Sequence, residues 1–154
     1  MPDASEVIEA AQRLSEQKDD AALELLLGMR ADAVEKDPSL ADHVALDLRY
    51  DSETMGPLDG VRRLGARVLR RWNKELHGLV CENGEKDSQQ RKELIESLNL
   101  GETAVIAAVA SILLSAGLGG AIVAPLAPLI VRRFIWPAKK ELCTAWGEAI
   151  GEQD

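Results

Sequence analysis

The sequence predicts an all-α fold, one domain over residues 1–154 built as a bundle of about six or seven helices around a central apolar helical hairpin. Three observations predict it. Apolar residues recur at helical intervals along most of the chain, whereas alternating runs of β-branched and aromatic residues are missing and aromatics make up only 3%. Thr103–Val131 is a run of 29 residues without a formal charge. Glycines and prolines divide that run in its middle. A chain of this length with 46% hydrophobic residues can bury enough surface to fold unaided.

Residues 1–57 read as acidic helices. Asp3 and Glu6 have the spacing of a capping box, and Val7, Ala11 and Leu14 follow on one face, so a first helix ends near Gln17. Asp19-Asp20 caps a second helix with the stripe Leu23, Leu26, Leu27, Ala31 and Val34. Asp37-Pro38 is a cap followed by proline at the first helical position, and Leu40, Val44 and Leu48 carry a third helix that fades near Tyr50. Asp51–Pro57 is a loop by composition.

Residues 58–80 form the most regular segment, a basic amphipathic helix. At 100° per residue, Leu58, Val61, Leu64, Val68, Leu69, Trp72, Leu76 and Leu79 fall in a sector roughly 140° wide. Arg63, Arg67, Arg70, Arg71 and Lys74 occupy the other side. After a turn-rich loop, Asp87 or Ser88 caps a short helix over 89–100 through Leu94, Ile95 and Leu98, and Asn99-Leu100-Gly101 ends it.

The apolar hairpin covers 102–136. Its first arm is Glu102–Ala116, Gly117, Gly119 and Gly120 make the turn, and the second arm starts near Ala121 or Pro125 and runs through Phe134. Glycine costs ~1 kcal/mol in a helix interior, so three together mark a break. Each arm then reaches only ~22 Å, short of a hydrocarbon core of ~30 Å. Ala107, Ser111, Ser115 and Gly119 recur every four residues and predict a face for close helix packing. Arg132, Arg133, Phe134 and Trp136 stand where interfacial anchors of a membrane segment would. A single crossing, however, would carry the charged residues 1–102 through the bilayer, and the start MPDASEVIEA has no signal-peptide pattern. Residues 137–150 form a last amphipathic helix, with Leu142, Trp146 and Ile150 four apart and Trp146 on the core.

Net charge is −8, distributed as −10 over residues 1–60 and +5 over 61–75. Nucleic acid is a poor partner for such a chain, since affinity there comes chiefly from neutralising phosphates. The basic helix either pairs with the acidic first 60 residues or meets an anionic surface, lipid or protein. Cys81 and Cys143 lie far apart outside any CxxC pattern and predict neither a disulfide framework nor a zinc site.

Chemistry has little to work with. His77 and Cys81 are an i, i+4 pair, but a helix C-terminus disfavours the thiolate that a nucleophile needs. His43 has Asp42 beside it and Asp47 four residues on, with no further histidine nearby to complete a metal site. Asp47, Asp51 and Glu53 lack a calcium-loop spacing, and the GLGG turn has no phosphate-loop lysine. The sequence therefore predicts no catalytic residue, cofactor, metal or small-molecule substrate. It predicts a non-enzymatic helical interaction protein, cytoplasmic or membrane-associated, an adaptor or assembly subunit with a protein partner or a second copy of itself and with its apolar hairpin buried in the fold or at a protein interface. The alternative is a membrane-active protein that inserts the 103–131 hairpin into a bilayer.

Overall fold

The computed structural model describes residues 4–46, 48–82 and 89–153, and in them eight α-helices and no strand. The first two helices are α1 (Ala4–Gln17) and α2 (Asp20–Lys36). Asp19 caps α2 as expected, its Oδ1 accepting from the Ala22 N–H at 2.8 Å. The cap expected at Asp3 lies outside the described residues.

Asp37 also caps, accepting from the Ser39 N–H at 3.1 Å, but it starts only a single 3₁₀ turn, Pro38–Asp42. At His43 the backbone is already extended, with φ −83° and ψ 94°. The expected third helix through Leu48 therefore does not form. The cause is tertiary. A Cβ on Gly119 would lie 2.2 Å from the Ala41 carbonyl oxygen, and one on Gly120 would lie 3.0 Å from Val44 Cγ2. Residues 41–44 are seated on the hairpin turn, and that seat overrides helix propagation. Asp51 then caps one helical turn, α3 (Ser52–Met55), where composition predicts only loop. Gly56 ends it at φ +81°, a conformation that favours glycine.

α4 (Leu58–His77) continues through a π turn, Gly78–Glu82, close to the expected 58–80. Its buried line is Val61, Gly65, Leu69, Asn73, Leu76 and Val80. That line is rotated by roughly 50° from the apolar sector read off the sequence. Leu58 is 36% exposed, and Leu64, Val68 and Trp72 are half-buried at its edge. The rotation follows from a crossing of α2 and α4 at two glycines. A Cβ on Gly28 would sit 2.1 Å from the Val61 carbonyl oxygen, and one on Gly65 would sit 2.2 Å from that of Glu24. The two helices touch backbone to backbone. α5 (Gln89–Leu98) follows, two residues shorter than expected, and its cap at 87–88 lies outside the described residues.

α6 (Glu102–Ser115) and α7 (Gly120–Ile130) are the arms of the expected hairpin, and Gly117 turns between them at φ +101°. Every residue of α7 is buried, and a π turn, Val131–Ile135, extends it. α1, α2 and α6 wrap α7, α5 lies on α6, and α4 lies on α2. Pro125 and Pro128 sit inside α7. Proline has no N–H, so Pro125 leaves the Ala121 carbonyl without its helical donor. Arg30 of α2 supplies one instead, Nη1 donating to Ala121 O at 3.1 Å. After a 3₁₀ turn, Lys139–Glu141, α8 (Leu142–Gln153) packs on α4 and on the π turn after α7, with Leu142, Trp146 and Ile150 buried as expected.

Candidate interaction surface

The basic face of α4 is the largest concentration of one charge in the chain. Arg62, Arg63, Arg67, Arg70, Arg71 and Lys74 are all exposed, because the helix turns Val61, Gly65, Leu69 and Leu76 inward. Arg63 Nε donates to the Asp59 carbonyl at 3.3 Å, the Arg71 guanidinium lies 5.5 Å from the Trp72 ring, and Lys74 makes a contact of its own. Arg62, Arg67 and Arg70 form no ion pair with any described residue. Gly60, Arg63, Ala66, Arg67 and Arg70 line an open depression of about 530 Å³ along this face.

Among the described residues, the acids of the first 60 thus form no ion pair with these arginines. Those acids meet the far end of the hairpin. Arg132 pairs with Asp20 at 3.0 Å and also donates to the Ser15 and Lys18 carbonyls, while Arg133 pairs with Glu24 at 2.9 Å and Asp20 at 3.4 Å. In this fold the two arginines clamp the end of α7 onto α1 and α2, where a membrane segment would use them as interfacial anchors.

His77 and Cys81 do share a face, and it is turned toward α8. Cys81 is disulfide-bonded to Cys143, with Cα atoms 5.7 Å apart, which corrects the expectation that the two cysteines form no bridge. Spacing in sequence cannot report this pairing, because only the docking of α8 on α4 brings the two together. His77 Nε2 donates to the Cys143 carbonyl at 3.0 Å, and its ring meets Trp146 edge to face at 5.0 Å. Trp146 Nε1 donates to Asn73 Oδ1 at 2.7 Å, with both side chains fully buried. The cluster is a structural clamp with its sulfurs bonded to each other, so no thiolate stands ready for attack.

The small residues of α6 lie off its most buried side. Ala107 and Ser111 are half-buried and Ser115 is exposed, while Val105, Ile106, Val109, Ala110, Ile112 and Leu113 take the buried side. Gly119 of that series makes a close approach, against Ala41. The close helix crossing is the one between Gly28 and Gly65, and the signal for it was an isolated glycine in each of two otherwise regular helical patterns.

Asp42, which ends the 3₁₀ turn, and His43 after it are exposed, and Asp47 lies outside the described residues. Among the described residues no three His, Cys, Asp or Glu side chains gather where they could hold a metal ion. No single helix among them is long and apolar enough to cross a membrane, although Gly120–Ile135 and Lys139–Gly151, bent by 77°, have the length and hydropathy as a pair. Compared with known protein families, curated proteins and solved structures, the chain matches none.

Proposed function

We propose that the chain is a non-enzymatic interaction protein, an adaptor or assembly subunit, that keeps its apolar hairpin within its own fold and offers the basic face of α4 to an acidic protein surface. The observation that carries this reading is the set of exposed guanidinium groups at Arg62, Arg67 and Arg70 without an ion-pair partner among the described residues. Like charges four residues apart, as at Arg63, Arg67 and Arg71, cost a helix ~0.2–0.5 kcal/mol per pair. An acidic partner removes that cost and adds bidentate guanidinium–carboxylate pairs. A second copy of the chain meets the description, since residues 1–60 carry −10.

Membrane insertion would require freeing α7, whose residues are all buried at the centre of the bundle. Two measurements separate the readings. In sedimentation velocity the protein should associate with itself or with a glutamate-rich peptide at low salt, and the double variant Arg67→Glu, Arg70→Glu should abolish this while melting as the parent does. Flotation with phosphatidylglycerol vesicles accompanied by release of their contents would establish the membrane reading instead. Association with neither would overturn the proposal.

A further inference from the structure

We infer that the cavity between α1, α2 and the segment carrying Val44, Ala45, Leu46 and Leu48 binds an amphiphilic carboxylate, with the head group on Arg30 and the hydrocarbon tail between α1 and α2. The cavity measures about 590 Å³, inside the ~300–1,000 Å³ range of small-molecule sites. Leu14, Leu25, Leu26, Met29, Val44 and Leu48 give it apolar walls. It follows α1 from Glu6 to Gln17, a length of ~17 Å at 1.5 Å per residue, and reaches Lys18 just beyond.

Arg30, also in the wall, is only 5% exposed. Its Nη1 donates to Ala121 O at 3.1 Å and its Nη2 to Leu46 O at 3.2 Å, while its buried Nε has no hydrogen-bond partner among the described residues. Burial lowers the guanidinium pKa to about 10, so it keeps its charge at neutral pH.

Filling the place left by the Pro125 N–H explains one of the five guanidinium N–H groups. It does not explain a cation buried against two neutral carbonyls with no counter-ion among the described residues, an arrangement that is unfavourable unless a charge answers it. A carboxylate answers it in the planar, bidentate geometry that guanidinium groups favour. The Leu46 carbonyl lies on the segment that walls the cavity, so it is the contact a carboxylate would exchange with. Around the cavity Glu6 and Glu9 line one end and Arg13 and Lys18 the other, and with Arg30 the lining carries one net positive charge. One negative head group balances it.

The test is calorimetric titration of the full chain with decanoate below its micelle concentration, and with decan-1-ol as the uncharged equivalent. Decanoate should bind saturably one to one, about tenfold or more tighter than decan-1-ol. Arg30→Gln should weaken decanoate by a similar factor. Ala22→Phe, at a half-buried position of the lining, should block binding with Arg30 left in place, and it decides the matter if Arg30→Gln fails to fold. No binding of decanoate, equal binding of decan-1-ol, or decanoate binding unchanged by Ala22→Phe would each overturn the inference.

Discussion

Gly28 and Gly65 set the geometry of the helix pair α2–α4, and each is irreplaceable for the same reason. A methyl group at either would lie little more than 2 Å from a backbone carbonyl oxygen of the other helix, which no side-chain rotation can relieve. Gly28→Ala and Gly65→Ala should each cost at least ~2 kcal/mol, as overpacking against rigid backbone does. Gly60, in the first turn of α4, has nothing within 4 Å of its Cβ position. Gly60→Ala should therefore stabilise by ~0.5–1 kcal/mol through helix propensity and a less flexible unfolded chain. Urea midpoints of the three variants check this. Equal effects at 28, 60 and 65 would mean that the crossing is not backbone to backbone. The sequence marks these positions only as glycines in helical patterns. Its more visible small-residue series, Ala107, Ser111 and Ser115, turns away from the buried side of α6. Small side chains at regular spacing permit close approach, and a neighbouring helix still has to arrive.

Helices were legible wherever local chemistry decides them. Asp19 and Asp37 each accept from a backbone N–H two or three residues on, where caps are predicted, and the hairpin breaks at its glycines, whereas the single turn capped by Asp51 stands where composition predicts loop. What was not legible depends on contacts between elements. Leu40, Val44 and Leu48 have helical spacing, yet residues 41–44 are held against the hairpin turn and the helix stops at Asp42. On α4 the apolar residues point to a sector that the Gly28–Gly65 crossing and the Asn73–Trp146 hydrogen bond rotate away. The Cys81–Cys143 bond is of the same kind. It closes a span of 62 residues and fastens α8 to α4, and a loop of that size gives ~4 kcal/mol of stabilisation in the chain-entropy account. Reduction, or Cys143→Ser, should lower the stability by about that amount, bring the thermal midpoint down with it, and shift the emission of the buried Trp146. In a compartment that keeps thiols reduced the bond would be open and the clamp would rest on His77, Asn73 and Trp146 alone. Thiol counting before and after unfolding checks the bond itself, and two free thiols in the untreated protein would refute it.

At the scale of the whole molecule, the charged helices and the apolar hairpin divide the work of holding one fold. α7 is buried all round, as a helix that is apolar on every side must be. The π turn after it carries Arg132 and Arg133, which tie its end to Asp20 and Glu24. α6 covers one flank and leaves Ser111 at the half-buried edge. That difference between the two arms is open to measurement. Ala124, on α7, is 0% exposed, so Ala124→Arg places a charge at the centre of the bundle with no counter-ion and too little volume. It should cost more than ~4 kcal/mol and leave no cooperative melt near the parent's temperature. Ser111→Arg can extend its guanidinium to water along the surface of α6, so it should stay within ~1 kcal/mol of the parent and remain monomeric if the parent is. Circular-dichroism melts of the two proteins decide between a buried α7 and an exposed one. If Ala124→Arg melts like the parent while Ser111→Arg unfolds, the exposed and buried arms have been assigned the wrong way round. The hairpin would then present α7, not the basic face of α4, to whatever the protein meets.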